Sequence, residues 1–142
     1  MLRMVICCGG GYSSSFMAQR VRKEIKDKGY EEFIMVEFQP FRIFKEKYKD
    51  YDVAFLCPHL LYDAKNLANT KEVKTPMYII PSKMYGTMRL KDLVEDAEDI
   101  IHLYKETKSN PIHFEDEDFL EMRRDISHRQ WKVKPMKSHM IG

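Results

Sequence analysis

The sequence predicts an α/β fold with a four-stranded, all-parallel open sheet, and three observations lead to it. Four short apolar runs alternate with segments of helical spacing, which is typical of parallel strands joined by right-handed crossovers. The runs are continuously apolar rather than alternating, as in a sheet covered on both faces. The 142 residues suffice for one core and are too few for two ordinary domains. We therefore expect helices on both faces, the three-layer arrangement of flavodoxin-like and Rossmann-like folds.

The chain begins with the first predicted strand and helix. Leu2 to Cys8 is a short, almost unbroken apolar run, which predicts a buried strand. Ser13 to Lys28 predicts an amphipathic helix, and Gly29 stands where a C-cap glycine belongs. The apolar face of this helix consists of Phe16, Met17, Val21 and Ile25.

A short helix separates the next two predicted strands. Phe33 to Phe38 is the second apolar run, and Pro40 can open a helix that extends to about Tyr48. Asp52 to Cys57 is the third buried strand, and Pro58 ends it.

Two more helices and the fourth strand complete the predicted domain. His59 to about Thr70 predicts a helix, and Pro76 to Ile80 is the fourth apolar run. Arg89 to Lys105 has the clearest helical spacing of the chain. Its apolar positions are Leu90, Leu93, Val94, Ala97, Ile100, Ile101 and Tyr104.

The composition changes after Ser109, where the apolar periodicity weakens and Pro111 interrupts the chain. We therefore predict a domain over residues 1–107 and a C-terminal extension over residues 108–142, with a helix around Asp116 to Asp125. None of the predicted chemistry lies in the extension, so we expect it to be dispensable for that chemistry. The aromatic residues with which it can dock on the domain are Phe114, Phe119 and Trp131.

The overall composition excludes several classes of protein. A net charge of +2 gives no whole-chain argument for nucleic-acid binding. No apolar stretch approaches the roughly 20 residues that span a membrane, and the first residues do not resemble a signal peptide. We therefore expect a cytoplasmic protein whose three cysteines are reduced. No spacing of His, Cys, Asp and Glu resembles a zinc or iron–sulfur site, so we expect no metal.

The end of the first strand carries the chemistry. Cys8 is followed by three glycines, a tyrosine and three serines that open the first helix. Successive backbone N–H groups in such a turn form an anion cradle, and the helix N-terminus adds partial positive charge that stabilises a thiolate. Cys8 is therefore the predicted nucleophile. The predicted phosphate-binding residues are Gly9, Gly10, Gly11, Tyr12, Ser13, Ser14 and Ser15.

Two other loops should lie beside this turn, because ligands of open α/β sheets bind beyond the carboxyl ends of the strands. These loops are residues 58–62 and 81–88. Cys7 should face the opposite side of its strand and belong to the core, and Cys57 should pack near the site. The candidate residues adjacent to the site are Pro58, His59, Tyr62, Tyr85 and Gly86.

These residues resemble the IIB component of the phosphoenolpyruvate-dependent sugar phosphotransferase system, of the lactose/cellobiose type. The family pattern has an apolar strand, a cysteine, small residues, an aliphatic position and Ser-Thr-Ser, and residues 8–15 take that place. A Gly-Pro-Gln stretch with a tyrosine three residues beyond corresponds to Pro58 and Tyr62, and a Tyr-Gly pair corresponds to Tyr85 and Gly86. The resemblance covers roughly residues 1–107.

The resemblance implies a phosphoryl carrier. Cys8 would accept a phosphoryl group from a phosphohistidine of the IIA component, without a metal or other cofactor. It would then pass the group to a sugar held in the membrane-embedded IIC component. The chain would thus remain cytoplasmic, without membrane insertion of its own, and associate with the membrane through IIC.

The sequence departs from the family pattern at several positions. Gly9 and Gly10 replace Ser-Ala, and Tyr12 replaces an aliphatic residue. His59 replaces the glutamine, and Pro81 stands where the family often has an aspartate. These differences bear on partner geometry and specificity more than on the transfer itself.

Two alternative functions differ from the carrier. Low-molecular-weight phosphatases also place a cysteine after the first strand, but their loop needs Cys-x5-Arg, because the guanidinium grips the phosphoryl oxygens. That position is Ser14 counted from Cys8 and Ser13 counted from Cys7, which disfavours a phosphatase. The second alternative is a non-catalytic regulatory module that reports sugar status to a partner.

Overall fold

The computed structural model describes residues 1–8, 13–81, 88–114 and 127–132, the side chains of residues 13–15, 131 and 132 excepted, and a parallel sheet forms its centre. The strands are β1 (Leu2–Cys8), β2 (Ile34–Pro40), β3 (Val53–Leu56) and β4 (Met77–Ile79). Their order across the sheet is β2-β1-β3-β4, and each neighbouring pair is parallel. The sheet of the described residues is therefore the four-stranded parallel sheet that the sequence predicts.

Five α-helices lie in the described part of the chain. They are α1 (Ser13–Lys28), α2 (Phe41–Lys47), α3 (Leu61–Thr70), α4 (Leu90–Thr107) and α5 (His128–Lys132). Short 3-10 turns precede β3 at Tyr48–Asp50 and precede α3 at Pro58–Leu60. The first four helices are those that the sequence predicts, and α1 has the predicted bounds.

Some element boundaries differ from the prediction, for local reasons. Pro40 is both the last residue of β2 and the N-cap residue of α2, and its ring fixes its φ at −65°. His59 lies in a 3-10 turn rather than in the predicted helix, which begins two residues later at Leu61. Gly29 has a φ of +72° just after α1, as expected of a helix-ending glycine.

The strands alternate their side chains between two core clusters, which confirms that helices cover both faces. Met4 and Ile6 pack with the apolar faces of α1 and α4, in what we call the α1/α4 core. Val5 and Cys7 pack with α2 and α3, in the α2/α3 core. Because side chains alternate along a strand, each face of the sheet has its own helix layer. This three-layer arrangement leaves the carboxyl ends of the strands at one common edge.

The chain beyond α4 returns to the sheet and packs on it. Ile112 forms a parallel bridge with Tyr78, and its N–H donates to the carbonyl of Met77 at 2.8 Å. Phe114 is buried in the α1/α4 core, 5.5 Å from the ring of Tyr78 between centroids. Asn110 accepts from the N–H of Met77 at 2.8 Å. Packing on the sheet thus continues past residue 107.

The helix α5 docks on an acidic face of α4. The N–H groups of Ser127 and His128 donate to the carboxylates of Asp92 and Asp96 at 3.1 and 2.8 Å. The ring of His128 stacks on Phe114 with 3.9 Å between centroids. Part of the extension is therefore attached to the domain, through Phe114 as the sequence suggests. The predicted helix over residues 116–125, Phe119 and the Trp131 side chain lie outside the described residues.

Candidate functional site

Cys8 ends β1 at the edge of the sheet where the carboxyl ends of the strands meet. It is fully buried and pairs in register with Pro40 of β2. The helix α1 begins five residues later, at Ser13, and packs against both β1 and β2. The unpaired N–H groups of its first turn therefore belong to this edge of the sheet. Gly9, Gly10, Gly11 and Tyr12, and the side chains of Ser13, Ser14 and Ser15, lie outside the described residues.

The two adjacent cysteines of β1 are both buried, and all three cysteines of the chain are without a disulfide bond. Burial, followed by the nearby Cys57 and Cys8, raises the pKa of Cys7 far above its ordinary value. Cys7 therefore stays a neutral thiol at physiological pH, which confirms its assignment to the core. The expected separation of the two thiols by face is wrong, because Cys8 also belongs to the α2/α3 core. Cys8 is the last strand residue, where the alternation of the pleat ends.

The turn after β3 brings an imidazole to a thiol. The Nε2 atom of His59 lies 3.2 Å from the Sγ atom of Cys57. Cys57 is fully buried, whereas His59 is exposed on the 3-10 turn that Pro58 begins. The sequence predicts both residues near the site but does not predict their contact. The signal for this contact is the spacing of Cys57 and His59 on either side of Pro58, because a turn at the proline brings the second residue back toward the first.

Tyr62 lies one turn further, in the first turn of α3. Its side chain is 74% exposed, and the ammonium group of Lys65 lies 5.9 Å from the centroid of its ring. The structure therefore places Pro58, His59 and Tyr62 together at the carboxyl end of β3, beside β1. The exposure of His59 and Tyr62 makes these two side chains available to a partner, whereas Pro58 is half-buried.

The third loop follows β4 and leads into α4. Pro81 is buried at its start, and Tyr85 and Gly86 lie outside the described residues. Arg20 of α1 donates to the carbonyl of Met88. Glu24 of α1 accepts from the N–H of Leu90 at 3.0 Å.

The contact between Glu24 and Leu90 replaces a local helix cap. Arg89 is the N-cap residue of α4 and makes no side-chain cap hydrogen bond. Glu24 supplies the missing acceptor for Leu90 and also forms an ion pair with Arg89 at 3.0 Å. This role of Glu24 is not predictable from the sequence, because only the tertiary structure brings α1 next to the start of α4. The start of α4, where the third loop ends, is thereby held against α1.

A groove of about 730 Å³ lies along β2 and α1, and its lining includes Arg22, Val36 and Phe38 but none of Cys8, Cys57 and His59. No group of three or more His, Cys, Asp or Glu side chains in the described segments is placed to hold a metal ion. None of the described helices is long and apolar enough to cross a membrane.

Comparison with known families identifies the chain. The model of the lactose/cellobiose-specific IIB subunit of the phosphotransferase system matches residues 3–96. The chain belongs to this IIB family. The matched range includes Cys8, the turn from Pro58 to Tyr62, the third loop and the start of α4. The family consists of phosphoryl carriers of sugar phosphotransferase systems, and the resemblance found in the sequence is thereby confirmed.

The match ends within α4, so the family model does not cover the segment from Ile112 to α5. Among solved structures, the chain is similar to the lactose-specific IIB component domain of the phosphoenolpyruvate:carbohydrate phosphotransferase system from Streptococcus pneumoniae. The two are 14% identical, with a TM-score of 0.47, over 76% of this chain and 98% of that one. The search of curated protein sequences found no match.

Proposed function

We propose that this chain carries a phosphoryl group on the sulfur of Cys8. The observation that supports the proposal best is the position of Cys8: it ends β1 just ahead of the α1 N-terminus, in a chain of the IIB family. Cys7 is the less suitable thiol, because its raised pKa keeps it protonated. Cys57 lies in the connection after β3, where the 3-10 turn Pro58–Leu60 follows it in place of the glycine- and serine-rich turn that follows Cys8.

The chemistry consists of two in-line displacements. The Cys8 thiolate attacks the phosphorus of a phosphohistidine on IIA, so that the P–S bond forms while the P–N bond breaks. A sugar hydroxyl then attacks the same phosphorus, the P–S bond breaks and the thiolate returns. Backbone N–H groups from Gly9 to Ser15, with the positive end of α1, stabilise the phosphoryl oxygens in both steps. No metal or other cofactor takes part in this scheme.

The proposed partners follow from the family. IIA is the phosphoryl donor, and the sugar is held by the membrane component IIC, so that the chain works in the cytoplasm and meets the membrane through IIC. The exposed Tyr62 and His59, with Pro58, Tyr85 and Gly86, are the proposed contacts around the thiol. Neither nucleic acid nor membrane insertion has a role in this proposal.

The burial of Cys8 has a consequence for the transfer. A fully buried sulfur cannot meet a phosphohistidine, so the surroundings of Cys8 must open when IIA binds. We therefore expect IIA to accelerate the alkylation of Cys8 by a small reagent such as iodoacetamide. Alkylation of Cys7 should remain slow under the same conditions.

Phosphorylation in a reconstituted system tests the proposal. Phosphoenolpyruvate, the general carriers and a matching IIA should label the full chain with an iodine-labile phosphoryl group, and peptide mapping should place it on Cys8. Cys8→Ser should abolish the label, whereas the matched variants Cys7→Ser and Cys57→Ser should keep it. A label that persists in Cys8→Ser would contradict the assignment.

A second stage separates the carrier from the regulatory alternative. Membranes that contain the matching IIC and its sugar should remove the phosphoryl group from Cys8 and yield sugar phosphate. A chain that is phosphorylated on Cys8 but never loses the group to sugar would instead be the regulatory module.

A further inference from the structure

The ladder between β1 and β3, continued by one residue, pairs Cys8 with Cys57. The register of this ladder pairs Met4 with Val53 and continues residue by residue to Cys7 with Leu56. The N–H of Cys57 donates to the carbonyl of Cys7 at 3.1 Å. In a parallel ladder this is one of the two hydrogen bonds that flank the next pair, which is Cys8 with Cys57. Both residues are fully buried and belong to the α2/α3 core.

This register places the two cysteines at disulfide spacing. Residues in register on neighbouring strands lie roughly 4.7–4.9 Å apart at Cα. Disulfides form at Cα separations of about 4.4–6.8 Å, so this Cα spacing lies within the range that a disulfide spans. Cys7 instead has Leu56 as its register partner on β3. Cys8 and Cys57 both raise the pKa of Cys7 electrostatically, which agrees with short distances among the three sulfur atoms.

His59 distinguishes Cys57 from an ordinary core cysteine. Its Nε2 atom is 3.2 Å from the Cys57 sulfur, which is the arrangement of a thiol with an adjacent general base. The imidazole is exposed, so a proton taken from the thiol can leave to solvent.

We propose that Cys57 is a second reactive thiol of this chain, and that a hydroperoxide converts Cys8 and Cys57 into a reversible disulfide. The further consequence, loss of phosphoryl acceptance, rests on the proposed function of Cys8. Once the Cys8 sulfur is bonded to Cys57, it is no longer a thiolate and cannot attack phosphorus. The disulfide and the phosphocysteine therefore exclude each other.

The oxidation balances with the hydroperoxide as its only co-reactant. The Cys57 thiolate attacks one peroxide oxygen, the O–O bond breaks, and water leaves after protonation, which forms a sulfenic acid. The Cys8 thiolate then attacks that sulfur, the S–S bond forms and a second water leaves. Two thiols and one hydrogen peroxide thus give one disulfide and two waters. An external dithiol reverses the reaction by thiol–disulfide exchange.

The geometry also favours easy reduction. Side chains that project in parallel from neighbouring strands keep roughly the strand spacing at Cβ, whereas a relaxed disulfide has its Cβ atoms about 3.8 Å apart. A disulfide between Cys8 and Cys57 must therefore draw the two strand ends together. Strained disulfides are the more readily reduced ones, which suits a reversible modification.

Mass spectrometry of the oxidised full-length chain tests the proposal. Reduced protein is treated with hydrogen peroxide, quenched, and alkylated in denaturant before digestion. We expect loss of two thiols per chain and a peptide linked to Cys57, with Cys7 alkylated. Because Cys7 and Cys8 share one tryptic peptide, variants assign the bond: it should persist in Cys7→Ser and disappear in Cys8→Ser. A bond that persists in Cys8→Ser, or no bond at all, would overturn the proposal.

Further variants test the roles of Cys57 and His59, which follow the third strand. Cys57→Ser, and Cys57→Ala if serine unfolds the chain, should form no intramolecular disulfide. His59→Gln should slow the oxidation of Cys57 about tenfold at pH 7, because an unassisted thiol is only a few per cent thiolate. It should also move the pH–rate profile to higher pH. An unchanged profile would remove His59 from the proposal.

The phosphoryl assay keeps the two proposals distinguishable. Reduced protein should accept the group on Cys8, oxidised protein should not, and dithiothreitol should restore acceptance. If reduced protein accepts no phosphoryl group, the proposed function fails while the mapped disulfide still decides this inference.

Discussion

At the scale of single residues, burial and neighbours give chemically similar side chains different properties. Cys7 is held neutral by burial, whereas Cys57 has an imidazole beside it. Tyr51 shows the same effect on a phenol. Its hydroxyl donates to Glu37 at 2.6 Å, and burial together with this hydrogen bond raises its pKa from 10.0 to about 12.

The raised pKa of Tyr51 predicts a loss of stability at high pH. Because the pKa of Tyr51 is higher in the folded state, its protonated hydroxyl stabilises the fold. This stabilisation is complete below pH 10 and is lost as the pH rises toward about 12. Tyr51→Phe should lower the free energy of unfolding at pH 7 by about 1–3 kcal/mol, because a hydrogen bond to a charged acceptor is lost.

Urea unfolding at a series of pH values measures this effect. The decline in stability between pH 10 and pH 12 should be shallower in Tyr51→Phe than in the parent chain. Tyr62→Phe serves as the control, because the Tyr62 side chain is 74% exposed. Identical alkaline profiles of Tyr51→Phe and the parent would contradict the prediction.

At the scale of elements, the start of α4 is set by α1. Glu24 accepts from the N–H of Leu90, and Arg20 donates to the carbonyl of Met88, so that two residues one turn apart on α1 hold this end of the third loop. The N-cap residue Arg89 supplies no acceptor of its own. The position of α4 therefore depends on a side chain that is 66 residues away in the sequence.

Removal of this cap should destabilise the domain. Glu24→Ala should lower the free energy of unfolding by about 0.5–2 kcal/mol, the range for loss of a helix N-cap. Glu24→Gln should lose less, because the amide oxygen can still accept from Leu90. Chemical denaturation at neutral pH is the measurement.

A matched variant on the same helix separates the cap from surface charge. Asp27 forms an exposed ion pair with Lys23, so Asp27→Ala should change stability by less than about 0.5 kcal/mol. Equal losses in Glu24→Ala and Asp27→Ala would show that Glu24 does not act as a cap.

At the scale of the whole molecule, the chain beyond α4 extends the packing of the domain. Ile112 and Phe114 belong to the α1/α4 core, and α5 is attached to the acidic face of α4. The boundary at residue 107 stays a prediction. The packing argues that a functional unit should include at least Phe114.

Two truncations test where the domain ends. A chain that stops after Ser109 loses the burial of Ile112 and Phe114, which we expect to cost about 3–6 kcal/mol at 1.5–3 kcal/mol for each side chain. A chain that stops after Phe114 keeps both side chains and should be the more stable of the two by thermal unfolding. Equal stabilities would place Ile112 and Phe114 outside the structural core. Both chains, where folded, should still accept a phosphoryl group on Cys8.

The docking of α5 should weaken in acid. Burial alone would raise the pKa of Glu95, but hydrogen bonds from Ser127 and Gln130 outweigh it and lower the pKa below 4.5. A carboxyl group whose pKa is lower in the folded state stabilises the fold at pH values above its ordinary pKa. This contribution is lost as the pH falls through the pKa of the folded state. The contact between Glu95 and the segment at Ser127 should therefore fail below pH 4.5.

Tryptophan fluorescence follows this contact, because Trp131 in α5 is the one tryptophan of the chain. Its emission should change as the pH falls below 4.5, and Glu95→Gln should reduce that change. Glu106→Gln is the control, since the Glu106 side chain is 60% exposed and forms its ion pair with His102 of the same helix. An acid transition that is the same in all three proteins would contradict the role of Glu95.

The sequence by itself determined the features that depend on local pattern. The helix α1 has its predicted bounds, because its apolar face and Gly29 are signals carried within the segment itself. The buried strands, the parallel sheet and the position of Cys8 at a strand end follow from the same kind of pattern. The family resemblance also depended on short motifs, and it was confirmed over residues 3–96.

Only the tertiary structure decided which distant residues meet. The cap on Leu90 by Glu24, the register of β1 beside β3, and the return of Ile112 to β4 all join segments that are far apart in the sequence. Strand order and register arise from packing the whole sheet between its helix layers, and a short sequence pattern carries no information on them. The contact of His59 with Cys57 is local, yet it depends on the turn that the end of β3 adopts.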